Sequence, residues 1–276
     1  MTGPPPRPSS PEVDLATLPE RYRLILCDLW GCVHDGARIL DGVAETLGEW
    51  RAQGRKVVFV TNAPRSADAI RAQLVALGLD PMLDAGIVTA GEAGLAAVRG
   101  RPVGFCGTEA DRRDLEPRGL VVADGNYAEL ACAGLAPGET VDDYAGRLAD
   151  WRARDVLLHC LNPDRIVHHQ GEAMVCAGAL ADAYEVIGGR VAWYGKPYPA
   201  IYELALSLGG VSGVTDKGAV LAVGDSLQTD MAGAAGFGID ALFVAGGIHA
   251  GQEPRFPPGW RPIGIVPSLG KRAIRP

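Results

Sequence analysis

Short apolar runs alternate along this chain with stretches whose apolar residues recur at helical spacing. The first run, Leu24-Ile25-Leu26-Cys27, suits a strand covered on both faces. After it Val43, Leu47 and Trp50 recur at helical spacing, Gly54 supplies a stop, and Lys56-Val57-Val58-Phe59-Val60 is a second buried-strand run. Pro64 and Ser66 then open a helix that carries Ala67, Ile70, Leu74 and Leu77 on one face and closes at Gly78. A third strand is predicted from Gly86 to Thr89, with a helix of small residues from Gly91 to about Arg99. Strand, helix, strand, helix implies a parallel sheet.

From about Arg101 to Arg190 the alternation runs separately. Apolar stretches at Pro102 to Cys106, Leu120 to Ala123, Leu130 to Leu135 and Val156 to Leu161 flank a helix bearing Val141, Tyr144, Leu148 and Trp151, enough for a second core. The first pattern then returns: a helix with Ile201, Leu204, Ala205 and Leu208, a strand from Ala219 to Val223 and another from Ala241 to Val244. The expected fold class is α/β, a parallel-sheet core domain split between residues 15–100 and 191–276 around an inserted α/β domain at 101–190. Residues 1–14 are Pro-rich and read as a disordered tail. Residues after about Gly251 are also Pro-rich without periodicity and read as a wrapping tail.

Composition narrows the partners. With 276 residues, 47% hydrophobic and 21% charged, the chain can bury a substantial core. A formal charge of −7, with Arg112, Arg113, Arg152 and Arg154 interspersed among acids, leaves no footprint for nucleic acid. No apolar run approaches the roughly 20 residues that span a bilayer, and the start lacks a secretion segment, so a cytoplasmic, membrane-free protein is expected. Self-association as a homo-oligomer is left open. The six cysteines form no Cys-x-x-Cys pair and read as buried free thiols. His168 and His169 resemble a metal pair, but adjacent side chains on a strand point to opposite faces.

The chemistry begins at Asp28, where the first apolar run ends in an isolated carboxylate. An unpaired charge inside such a strand would be costly, so Asp28 belongs at its C-terminal edge, where open α/β sheets hold ligands. Three more segments put polar groups at strand ends or helix starts: Thr61-Asn62, Gly195-Lys196-Pro197 and Gly224-Asp225-Ser226-Leu227-Gln228-Thr229-Asp230. In this order the four resemble the motifs of the haloacid dehalogenase superfamily, and most closely its class IIA, NagD-type phosphatases, over about residues 20 to 250. The resemblance implies a Rossmann-like core with an α/β cap over the site.

It also implies roles. Asp28 would attack phosphorus and form an aspartyl-phosphate, splitting one displacement into two. Thr61, Asn62 and Lys196 would act beside it, the Thr61 hydroxyl and the Lys196 ammonium neutralising phosphoryl oxygens. Asp28, Asp225 and the backbone carbonyl of Trp30 would hold Mg²⁺, with Asp230 holding a metal-bound water or locking Lys196. Leu161-Asn162-Pro163-Asp164 matches a cap loop that faces substrate, so Asn162 and Asp164 are candidates for specificity. Cys176 to Tyr184 resembles a helix whose small residues would let the domains approach closely. His34-Asp35-Gly36 reads as a hairpin turn, with His34 a candidate substrate contact.

One position departs from the family. Trp30 stands where family phosphatases carry a second Asp, which protonates the leaving group and then activates water, and tryptophan does neither. Related members carry Ala there for phosphonates or Tyr for haloacids. The expected function is a magnesium-dependent phosphohydrolase or phosphotransferase on a small phosphorylated metabolite. The alternatives are a non-catalytic binder of such metabolites and a hydrolase of carbon–phosphorus or carbon–halogen bonds.

Overall fold

A computed structural model describes residues 13–169, 172–210, 214–248, 251 and 253–270. The Pro-rich start, residues 1–12, lies outside the described residues; the chain is then pinned where Trp50 donates its indole N–H to the Leu15 carbonyl at 2.9 Å. Strand β1 (Leu24–Cys27) is buried along its whole length. Helix α1 (Val43–Ala52) buries Val43, Thr46, Leu47 and Trp50 and returns the chain to β2 (Lys56–Thr61), parallel to β1. Ser66 caps α2 (Ala67–Ala76) by accepting from the Ala69 N–H, and Thr89 ends β3 (Gly86–Thr89) and caps α3 (Ala90–Val98) in the same way.

The chain then builds a second sheet. Its first elements are β4 (Pro102–Cys106), α4 (Glu109–Leu115), β5 (Val121–Val122) and β6 (Glu129–Cys132). They are followed by α5 (Ala145–Ala153) and β7 (Leu157–Cys160). An antiparallel hairpin of β8 (Ile166–His169) and β9 (Glu172–Val175) interrupts before α6 (Ala177–Val186) and β10 (Arg190–Trp193). His168 and His169 are neighbours on β8, opposite Ala173 and Glu172.

The last part comprises α7 (Pro199–Gly209), β11 (Val220–Gly224), a π-turn at Leu227–Met231 running into α8 (Ala232–Phe237), β12 (Asp240–Val244) and β13 (Gly264–Val266). Strand order is β13-β12-β11-β1-β2-β3 in one sheet and β10-β7-β6-β4-β5 in the other. Every pairing within these two sheets is parallel. Strand β1 is central, with Asp28 just beyond its C-terminal end.

Alternation explains the apolar runs of the larger sheet. Ile25, Cys27, Val57, Phe59, Leu221 and Val223 enter the core on one face, and Leu24, Leu26, Val58, Val60, Val220 and Ala222 enter the core on the other. The second sheet has its own core around Leu130, Leu158, Leu180 and Tyr184. Among the described residues no helix is long and apolar enough to cross a membrane.

Three expectations change. The segment after Gly251 is more than a wrapping tail, because β13 pairs with β12 and extends the sheet. A boundary at residue 190 would cut β10, whose four residues pair with β7 in the second sheet. The small residues of α6 pack within their own domain, where Ala177 and Ala181 enter the second sheet's core beside Leu180 and Tyr184. Gly178 lies so close to its own loop that a β-carbon there would stand 2.4 Å from the Pro163 carbonyl oxygen.

Candidate active site

The C-terminal edge of the larger sheet gathers the charged residues into one place. Asp28 continues the ladder by donating its N–H to the Val223 carbonyl at 2.8 Å, and its Oδ1 accepts from the Leu29 N–H at 2.8 Å. Lys196, at the end of the link from β10, places Nζ 2.7 Å from Asp28 Oδ1 and 2.7 Å from Asp230 Oδ1. All three side chains are buried. Burial alone would lower the Lys196 pKa, but attraction by Asp230 and Asp28 outweighs it and holds the ammonium well above its usual value. Burial pushes the Asp28 carboxyl up, and Lys196 pulls it back toward the charged form.

Asp225 follows β11 and accepts the Ile248 N–H on Oδ2 at 2.7 Å. Two glycines make room for it. A β-carbon at Gly247 would lie 1.8 Å from Oδ2 and one at Gly31, whose φ is +75°, would lie 2.0 Å away. Burial, then repulsion from Asp230, raises the Asp225 carboxyl to about 7. Oxygens of Asp28 and Asp225 and the Cys32 sulfur lie within 4.8 Å of one another. Asp230 stands outside this group, because Oδ1 takes Lys196 and Oδ2 accepts the Ser226 N–H at 3.1 Å. Of its two expected tasks, locking Lys196 is the one the geometry contains.

Asn62 joins the two sheets' domains at the site. Its Oδ1 accepts the Lys196 N–H at 2.7 Å, while Nδ2 donates to the Lys196 carbonyl at 3.1 Å and to Asp164 Oδ1 at 2.8 Å. Thr61 turns its hydroxyl oxygen to the Ala63 N–H at 3.2 Å and lines the pocket. The pocket has a volume of about 750 Å³ and brings Asp28, Trp30, Thr61, Asn62, Asp164, Lys196 and Asp225 together.

Two candidates point elsewhere. His34 is buried within its own hairpin: Nδ1 accepts the Gly36 N–H at 3.0 Å, and the ring meets Trp30 edge-on with centroids 5.3 Å apart. It does not line the pocket. Asn162 accepts the Asp164 N–H at 3.1 Å and so forms the turn that presents Asp164, without lining the pocket itself. Sequence reasoning missed Asp35, Ser226 and the loop at 246–248, all of which line it. The Gly246-Gly247 pair directly beyond an apolar strand was a signal for that loop.

A parallel sheet whose central strand ends in a lysine-paired carboxylate, with an inserted α/β domain bonded to the same site, fits a hydrolase that handles phosphate esters. The family comparisons agree. Residues 25–121 match the haloacid dehalogenase-like hydrolase family and residues 193–271 the HAD-hydrolase-like family. A haloacid dehalogenase-like hydrolase from Brucella suis superposes with a TM-score of 0.79 at 33% identity, covering 91% of this chain and 96% of that one. The D-glycerol 3-phosphate phosphatase of Mycobacterium tuberculosis is 30% identical over 261 residues, which is 87% of this chain and 67% of the relative. The ribonucleotide monophosphatase NagD of Escherichia coli is 27% identical over 256 residues, 90% and 96% of the two chains. This chain belongs to the haloacid dehalogenase-like hydrolases.

Proposed function

We propose that this hydrolase is a divalent-metal-dependent phosphatase or phosphotransferase that acts on a small phosphorylated metabolite through an aspartyl-phosphate on Asp28. The observation that carries the reading is the Lys196 ammonium held between Asp28 and Asp230 at 2.7 Å from each, in a pocket that also contains Asp225. Relatives named for glycerol phosphate and for ribonucleotide monophosphate share only the phosphomonoester, so the phosphate end is what the likeness supports.

The donor set fits a magnesium-sized ion. Asp28 and Asp225 supply hard carboxylate oxygens, and burial keeps the neighbouring Cys32 a neutral thiol by pushing its pKa well up. With the backbone carbonyl of Trp30, these two aspartates would hold Mg²⁺, which supplies charge neutralisation for the incoming phosphate. Asp28 then attacks phosphorus from the end of β1, the P–O bond to the leaving group breaks, and the new acyl phosphate remains on Asp28. Lys196 would offset negative charge on the phosphoryl oxygens, and the Thr61 hydroxyl would donate to them. Asp230 keeps Lys196 charged and aimed.

Trp30 sets the limit of this chemistry. Without a carboxyl at that position the leaving oxygen departs without a proton from residue 30, a loss typically worth about 10²–10⁴-fold. His34, pinned in its hairpin, is not positioned as a substitute. Esters with acidic leaving groups are therefore the expected substrates.

The test is hydrolysis of an activated aryl phosphate with magnesium present. Turnover that stops on chelation and returns with magnesium is the expected result. A protein that binds magnesium and inorganic phosphate yet hydrolyses nothing would instead be a phosphometabolite binder, the reading Trp30 also favours.

A further inference from the structure

Lys196 reaches Asp28 from a short crossing between the two domains. Strand β10 ends at Trp193 and α7 begins at Pro199, so Tyr194 to Tyr198 form the whole link and Lys196 is its middle residue. The crossing is tight: a β-carbon on Gly195, whose φ is +96°, would lie 2.7 Å from Ala90 Cβ on the core side and 2.9 Å from Pro163 Cδ on the other. The ammonium takes its direction from Asp28 and Asp230. The backbone beneath it takes its position from the link.

Aromatic rings hold the link on both sides. Trp193 and Tyr194 are consecutive at the end of a strand and project to opposite faces. Trp193 stacks on Tyr198 with centroids 5.5 Å apart and planes 12° from parallel, which closes the link across Lys196. Inside the same loop the Tyr198 N–H donates to the Gly195 carbonyl at 2.8 Å. The Trp193 indole N–H is fixed by Glu185 at 3.1 Å. On the opposite face the Tyr194 hydroxyl meets His159 Nδ1 at 3.0 Å, and its ring abuts α3, where a β-carbon on Gly94 would lie 3.1 Å from Cδ2.

Arg165 connects this link to the turn that carries Asp164. Its guanidinium carbon lies 5.0 Å from the Trp193 centroid. It donates to the Pro163 carbonyl at 2.8 Å and to both oxygens of Asp182 at 2.9 and 2.8 Å, a bidentate pair that fixes the guanidinium plane. The Arg165–Asp182 pair is nearly half exposed and adds little stability, so its effect is geometric. Asn62 ties the same two residues from the core, Lys196 through its peptide groups and Asp164 through Oδ1.

We infer that Trp193 is a positioning residue for Lys196, completing with Tyr198 and Arg165 a brace that fixes the lysine's backbone relative to Asp28 and Asp164. Trp193 does not line the pocket, so it acts through Lys196. This rests on the phosphate-binding role proposed above for Lys196 and adds the residues that place it. A compact charge that must meet phosphoryl oxygens in the transition state loses its effect steeply when its carrier shifts by about 1 Å.

The experiment measures vanadate binding by calorimetry, with magnesium present, in wild type, Trp193→Ala, Lys196→Met and the double variant. Trp193→Ala should weaken vanadate by about 10-fold, and Trp193→Phe, which keeps a ring, should stay within about threefold of wild type. On the Lys196→Met background Trp193→Ala should cost less than about twofold more, because the group it positions is gone. Unchanged vanadate affinity in Trp193→Ala, or equal losses on both backgrounds, would overturn the brace. Should Trp193→Ala fail to fold, Tyr194→Phe, which removes one hydroxyl from the same link, takes its place in the cycle. A wild type that binds neither phosphate nor vanadate would sink the phosphate reading alone. Amide hydrogen exchange then decides the brace: faster exchange at Lys196 and Tyr198 in the variant, with β1 unchanged, keeps it, and unchanged exchange there overturns it.

Discussion

At the C-terminal ends of β1, β2 and β11 stand Asp28, Thr61 and Asp225; at the same ends of β4, β6 and β7 in the cap stand Cys106, Cys132 and Cys160. The three cysteines are register partners across the sheet, Cys106 opposite Cys132 and Cys132 opposite Cys160. All are buried in the inserted domain's own core, where burial pushes Cys160 up to about 12. Two parallel sheets thus offer the same ligand-holding edge, and only the one whose strands end in oxygen groups becomes a site. The architecture supplies a place, and side chains decide its use. The inserted domain reaches the pocket where β7 runs on through Asn162 to Asp164 and where β8 adds Ile166 and Val167.

The sharpest way to break this contrast is to exchange activities between the edges. Asp28→Asn should lower turnover of an aryl phosphate by at least about 10⁴-fold, whereas Cys106→Ala in the cap should leave it within about threefold. A large loss in the cysteine variant would give the cap edge a chemical part. Lys196→Met should follow, lowering turnover by about 10²–10³-fold. It should also destabilise the protein to urea by about 3–5 kcal/mol, because two buried carboxylates lose their cation. Unchanged stability would mean that the Lys196 ammonium is not what holds this cluster together.

Trp30→Asp tests the edge at the residue that departs from the family. Hydrolysis of an alkyl phosphate should rise on the order of 10-fold, less than the full acid–base factor because the space left by the indole must be refilled. A wild type already fast on alkyl phosphates would show that another group protonates the leaving oxygen. The smallest effect belongs to the cap. His159, bonded to Glu129 at 2.8 Å and Tyr194 at 3.0 Å, has its pKa lowered by burial, which outweighs Glu129. Unfolded, it takes a proton near about pH 6.5; folded, it does so only at lower pH, so the unfolded chain binds more protons and stability falls as pH drops through that window. The urea midpoints of wild type and His159→Gln should converge between pH 7.5 and 5.5. Parallel profiles would remove His159 from the account.

The larger sheet was legible because each of its inner strands is buried on both faces and reads as an unbroken apolar run. The site was legible because its polar residues directly follow those runs. The edges were not. Strand β10, Arg190-Val191-Ala192-Trp193, has no fully buried residue, and β13 is three residues between Pro262 and Pro267. Helix α4 buries only Leu115, too little to leave a stripe. His34 shows another limit: its place in a turn was readable, but whether the ring entered the pocket or packed on Trp30 depended on two glycines, Gly31 and Gly36, with φ of +75° and +91°. Such backbone angles reverse a side chain's direction and leave no periodic signal.

The interrupted core also sets an order of events during synthesis. Strand β1 has β2 on one side and β11 on the other, and all five cap strands precede β11 in the chain. Once residue 193 has left the ribosome, the cap sheet is complete while the larger sheet has three of its six strands and β1 is still an open edge. The cap can therefore close on contacts within one continuous segment, and the core waits for a partner nearly two hundred residues downstream, the slower kind of pairing. Asp28 is made first among the residues of its cluster and meets Lys196, Asp225 and Asp230 last, so the exposed edge of β1 is the place where a nascent chain of this protein would be open to mispairing or to a chaperone.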